Sequence, residues 1–218
     1  MTYLLRVVLP DRPGSLGAVA TAIGVAGGDI VSLDVVERGP EGAVDDLVVD
    51  LAGGLADVLI TAAQSVPGVI VESLRPYLGG QDVHRDLELV DELAADTSQA
   101  VELLVAGAPG VFRAGWALLI EHGNVVVETA GAPDCDGLVF PWLPLSSARR
   151  MHRAEDWVPP RWETLGMEMA AAPVGHPDRV ILLGRPGGPR FRASEVVRLA
   201  HLAGIAATVG RSEVRSPV

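Results

Sequence analysis

The sequence predicts an α+β protein made of two successive domains, each built on an antiparallel sheet. Two observations carry this expectation. Over the first 78 residues, short β-prone runs and runs with helical apolar spacing follow one another in the order β-α-β-β-α-β. Beyond about residue 100 the composition changes. All four tryptophans (116, 142, 157, 162) lie there, and two pairs of β-prone runs are flanked by helical ones.

Residues 3–9 (Tyr-Leu-Leu-Arg-Val-Val-Leu) read as the first strand, with Arg6 its one charge. Pro10-Asp-Arg-Pro-Gly14 breaks it, and Ser15 is placed to cap a helix. Leu16, Val19, Ala20, Ile23 and Ala26 share one helical face, and Gly27-Gly28 stops the helix. Asp29 opens a second strand over 30–38. After the turn cluster Gly39-Pro-Glu-Gly42, a third covers 43–51. There Leu47, Val49 and Leu51 alternate with Asp46, Val48 and Asp50, as in a sheet covered on one face only. A helix over 55–66 presents Leu55, Val58, Leu59, Ala62 and Val66. Pro67-Gly68 ends it, and 69–74 is the last strand. This order is the ferredoxin-like split βαβ unit.

Residues 82–104 predict one long acidic helix with Leu87, Val90, Ala94, Thr97, Val101 and Leu104 in a stripe. It either packs on the second domain or connects two copies of the chain. Strands are expected near 113–121, 124–130, 167–174 and 179–184, with Gly123-Asn124 in a hairpin turn and a closing helix over 193–210. The stretch 131–165, with five prolines, reads as a loop-rich insertion. The expected domains are thus 1–78, a connecting helix over 79–100, and 101–218.

Charge and composition exclude several classes. The net charge is −11 over 218 residues, divided as −6 over the first 78 and −5 over the rest. Neither part offers the basic surface that nucleic acid or an anionic membrane needs. The lone Cys135 suits a reducing cytoplasm, where a buried inert thiol is expected. No apolar run reaches the ~18 residues of a membrane span. All basic residues are arginine, which reads as a GC-rich bacterial coding bias.

Asp11-Arg12-Pro13-Gly14-Ser15-Leu16 stands where the first strand feeds the first helix. Pro13 fixes φ, Gly14 lets a ligand approach the backbone, and the helix start offers unpaired N–H groups. Such a place can hold a carboxylate without a cationic side chain. This motif, Gly27-Gly28-Asp29-Ile30 after the helix and Pro67-Gly68-Val69 before the last strand together strongly resemble the ACT domain family, over residues 3–77. The resemblance implies a non-catalytic, homodimeric regulatory protein that binds an amino acid or similar small molecule where two copies meet side by side. The ligand-binding residues it implies are Asp11, Arg12, Pro13, Gly14, Ser15, Leu16, Gly28, Asp29 and Ile30. Several amino-acid-binding members carry Asn at both polar positions. Here both are Asp, which either pair with a ligand ammonium or repel its carboxylate, and Asp29 can equally cap its own turn.

The second part resembles a GAF-like domain, on Ala171-Ala-Pro-Val-Gly175, the run Val180–Phe191 and the helix Glu195–Val209. Gly184-Arg-Pro-Gly-Gly-Pro189 reads as a turn, with a phosphate cradle as the alternative. Trp142, Trp157 and Trp162 either fill a core or line a pocket. Arg149, Arg150, His152, Arg153 and Arg161 form one basic cluster, either a solvated loop or a seat for an anion. No histidine pair, nucleophile elbow or dinucleotide loop is present, so no enzyme, cofactor or metal is expected. Asp134-Cys-Asp136-Gly137 reads as a plain turn. The alternative function is an interaction module: a dimerisation surface for an unidentified protein, with its pocket degenerate.

Overall fold

The computed structural model describes residues 1–39, 42–53, 56–77, 85–152 and 155–212. The chain divides into two compact units, Met1–Val83 and His84–Val218. Both have antiparallel sheets with helices, so the protein is α+β.

The first unit runs β1 (Thr2–Leu9), α1 (Ser15–Val25), β2 (Gly28–Gly39), β3 (Gly42–Leu51), α2 (Asp57–Gln64) and β4 (Ile70–Pro76). The strands are ordered β2-β3-β1-β4 and every neighbouring pair is antiparallel. Leu5, Val7, Leu9, Leu47, Val49 and Leu51 meet Val19 and Ile23 of α1 and Leu59 and Ala63 of α2 in one core. The helical spacing read from the sequence thus has a physical counterpart: one stripe of α1 faces the sheet. Leu55, expected on the α2 face, lies outside the described residues, and Val58 is exposed.

Two local expectations fail here. Ser15 is the first residue of α1, not its cap. Gly14 holds the cap position with φ +89° and no side chain caps the helix. Nor is the face of β3 opposite the helices bare. Val44, Asp46 and Val48 are buried, as are Leu4 and Arg6 on β1. The polar residues that suggested a wet face are Asp46, paired with Arg6, and Asp50 at the strand's end.

The second unit contains α3 (Arg85–Ala95), a 3-10 turn (Thr97–Gln99), α4 (Ala100–Val111), β5 (Trp116–Glu121), β6 (Asn124–Glu128), β7 (Arg149–Met151), α5 (Pro160–Thr164), β8 (Glu168–His176), β9 (Arg179–Arg185) and α6 (Ala193–Ser212). Its sheet order is β6-β5-β9-β8-β7. One face carries α3, α4 and α6 over Ala117, Leu119, Ala170, Ile181 and Leu183. Side chains of the 131–165 insertion fill the other, over Trp116, Leu118, Ile120 and Leu182.

The long helix expected over 82–104 is broken. The Asp96 carboxylate accepts from the Gln99 amide at 3.3 Å and from Ser98 Oγ at 2.7 Å, ending one helix and starting the next. In α3 the buried residues are Leu89 and Leu93, within the second unit's own core, while Leu87 is 63% exposed; in α4 the expected Val101 and Leu104 are buried. The hairpin turn sits one residue earlier than the sequence suggests: His122 and Gly123 take φ of 49° and 83°, and Asn124 already opens β6. The short edge strand β7 lies inside the stretch read as loop. No described helix is long and apolar enough to cross a membrane.

Candidate functional site

The loop between β1 and α1 is tightly turned. The Arg12 amide donates to the Pro10 carbonyl at 2.8 Å and the Ser15 amide to that of Arg12 at 3.3 Å. Arg12 Nη2 donates to the Pro67 carbonyl at 3.1 Å, and a Cβ on Gly68 would come within 2.8 Å of Pro10 Cγ. The structure therefore joins the two motifs that sequence separates by more than fifty residues: the Pro-Gly turn before β4 braces the loop before α1. Asp11, Arg12, Pro13 and Gly14 are exposed, and a Cβ on Gly14 would meet nothing within 4 Å. The helix start behind it is open to a guest and has no side-chain cap.

Other expected ligand residues do different work. A Cβ at Gly28 would lie 2.7 Å from Ile23 Cγ2 and 2.9 Å from Val49 Cγ1, so this glycine makes room for the core rather than for a ligand. Leu16 and Ile30 are half-buried against the same core. Ser15 is buried, and its hydroxyl has no hydrogen-bond partner among the described residues.

Asp29 is exposed and lies in strand register with Asp50, which accepts from Thr2 Oγ1. At the other end of the sheet, Leu9 aligns with Ala43 and Ala43 with Arg38. Within one chain the loop and Asp29 are therefore a strand length apart, about 20 Å. No small ligand can touch both in a single copy.

A further carboxylate near the loop end escaped the sequence reading. Asp45 pairs in register with Val7 and Val35, on the helix side of the sheet, and is 3% exposed. Its Oδ1 has no hydrogen-bond partner among the described residues. Burial raises its pKa. Arg38 opposes that shift, and Asp46 and Asp34 reinforce it. The signal was present: successive residues of a strand point to opposite faces, so Asp45-Asp46 had to place one carboxylate on the core side.

In the second unit, the tryptophans form a chain of contacting rings. Trp116 and Trp162 are fully buried with centroids 5.4 Å apart. Trp162 meets Trp157 at 6.2 Å, and Trp157 meets Trp142 at 5.6 Å. The inner pair fills core. The outer pair, half-buried, lines an open surface hollow of about 450 Å³ with Pro141, Glu155 and Asp156. A second hollow, about 780 Å³, lies between β6 and the Asp134–Leu138 turn. Cys135 lines it, with Sγ donating to the Pro133 carbonyl at 3.1 Å. Burial, then Glu128 and Asp134, push its thiol up to about 11. The Asp136 amide donates to Asp134 Oδ1 at 3.0 Å, an ordinary aspartate turn.

The basic cluster divides. Arg149 pairs with Glu155 at 3.4 Å, while Arg161 pairs with Asp134, donating to its carbonyl and approaching its carboxylate at 3.6 Å. Arg150 and His152 are exposed, and Arg153 lies outside the described residues. The first two residues of the Gly184–Pro189 run serve packing. A methyl group on Gly184 would fall inside the Trp116 indole. Arg185 is wholly buried: it pairs with Glu195 at 2.8 Å, donates to the carbonyls of Pro189 and Phe112, and stacks on Phe191 at 4.0 Å. Among the described residues, no group of His, Cys, Asp and Glu could hold a metal ion.

No family model matches this chain, and no curated protein matches it. Solved structures do. A formyltetrahydrofolate deformylase from Pseudomonas putida KT2440 is 11% identical, with a TM-score of 0.30, over 48% of this chain and 39% of that one. An unknown protein from Galdieria sulphuraria is also 11% identical, with a TM-score of 0.34, over 98% and 92%. The chain thus spans well under half the length of the deformylase, and neither likeness bears on what it does.

Proposed function

We propose that this chain is a non-catalytic regulatory protein whose first unit, resembling an ACT domain, senses a small molecule between two copies, an amino acid being the expected ligand. One observation carries the reading. The open helix start behind Gly14 and the carboxylate of Asp29 lie at opposite ends of one sheet, so a two-fold partner is what would complete a site. The helix start suits a ligand carboxylate, and Asp29 suits its ammonium. Edge strand β2 supports a second copy, because Val31, Leu33 and Val35 are 59%, 41% and 47% exposed along it. A ligand bridging two copies would favour one relative arrangement, which is how binding becomes a signal.

Isothermal titration of the full chain with each of the twenty amino acids, beside sedimentation velocity, tests this. One amino acid is expected to give saturable heat and to shift the chain toward dimer. Silence from all twenty at millimolar concentration overturns it. The exposed β2 edge also favours a second reading, an interaction module. A ligand-silent chain that is nonetheless dimeric would favour that one.

A further inference from the structure

The second unit offers a site that owes nothing to the first. Trp116 and Trp162 are spent on core packing, but Trp142 and Trp157 keep indole surface on a hollow whose remaining lining is Pro141 and the carboxylates Glu155 and Asp156. The two rings meet edge to face, 5.6 Å between centroids and 61° between planes, so they form two walls of a notch. Indole faces attract cations through the ring quadrupole, and carboxylates beside them repel an anion. A neutral apolar guest would strip water from Glu155 and give nothing back.

The hydrogen bonds narrow the class of cation. Glu155 Oε1 accepts from the His152 amide at 2.8 Å and from Arg149 at 3.4 Å, and its Oε2 accepts from the Trp157 indole N–H at 2.9 Å. Partial burial raises the Glu155 pKa, but these donors outweigh it and hold the carboxyl ionised, below the usual range. Its acceptor capacity is largely committed, and Asp156 is exposed to water. A primary ammonium would bring three N–H donors beside a Glu155 carboxylate that already accepts from three. A quaternary ammonium brings none. The charged residues that line the notch are the carboxylates Glu155 and Asp156, and Arg149 pairs with the first at 3.4 Å. Its volume of about 450 Å³ holds more than a bare ion.

We propose that the Trp142–Trp157 notch binds a quaternary ammonium headgroup, with Glu155 fixing the Trp157 ring and supplying, with Asp156, the balancing charge. The indole faces receive the methyl groups, and no covalent step is involved.

Isothermal titration of the full chain with choline chloride, with its uncharged isostere 3,3-dimethyl-1-butanol, and with sodium chloride at matched ionic strength tests this. Saturable heat is expected for choline alone. Trp142→Leu should weaken choline binding about fivefold or more, while Trp142→Phe, which keeps a ring face, retains most of it. Asp156→Asn should weaken it about twofold. Asp156 is on the surface, so this variant keeps the test decisive even if the tryptophan variants unfold. No saturable choline heat, equal responses to choline and the isostere, or unchanged affinity in both Trp142→Leu and Asp156→Asn overturns the proposal.

Discussion

Arg6 and Asp46 face each other across β1 and β3 and are joined by two hydrogen bonds, Nε to Oδ1 at 2.6 Å and Nη2 to Oδ2 at 2.8 Å, with both residues buried. Two parallel bonds satisfy the fork of the guanidinium and both carboxylate oxygens. Removing one partner takes the bidentate mate from a buried charge. Asp46→Ala or Arg6→Leu is expected to cost about 3–5 kcal/mol, and the double variant Arg6→Leu/Asp46→Leu to recover most of it. Urea unfolding of the three variants checks this. Additive losses in the double variant would refute it.

Asp45, the neighbouring carboxylate, should behave in the opposite way. Its folded pKa is raised above the ordinary 3.8, so the native state binds the proton more tightly than the unfolded chain does. The resulting stability is fully present below 3.8 and is lost as pH rises through the folded value. Asp45→Asn removes the charge that burial penalises. It should raise the melting temperature at pH 7 by a few degrees and do little at pH 3. Calorimetry at both pH values decides it, and an equal effect at the two would rule it out.

Gly184 stands opposite Trp116 in the β5–β9 register, where only a hydrogen leaves space for the indole. Gly184→Ala should cost about 3 kcal/mol, and Trp116→Leu in the same chain should relieve part of that loss. A double-mutant cycle by denaturation measures the coupling, which should be well away from zero.

Cys135 should be slow to react. With its thiol at about 11, roughly a thousandth is thiolate at pH 8. Iodoacetamide alkylation of the folded protein should therefore rise about tenfold per pH unit until near 11. Rapid stoichiometric labelling at pH 7 would contradict the burial that sets this value.

Much of the fold was legible because local patterns and packing agree. Val19 and Ile23 of α1, and Leu47 and Val49 of β3, are buried where periodicity puts them. Patterns failed where a residue's partner lies far along the chain. Arg6 and Asp46 look like solvent-facing charges until the register pairs them across forty residues. Leu87 and Leu89 are equally apolar, and only packing against the rest of the second unit selects Leu89. At the candidate site the loop's open geometry could be read from Pro13 and Gly14, but Gly28 could not. A glycine that admits a ligand and a glycine that admits Ile23 are identical in sequence. The Glu155–Trp157 bond joins residues only two apart, yet nothing in the sequence says that the indole of Trp157 turns toward Glu155.

All four indoles belong to a single ring chain in the second unit, and the first unit has none. Tryptophan emission therefore reports on the core of the second unit, whereas far-ultraviolet dichroism registers both units. On one heated sample, the gap between the two traces is a direct reading of whether the halves unfold together or in turn.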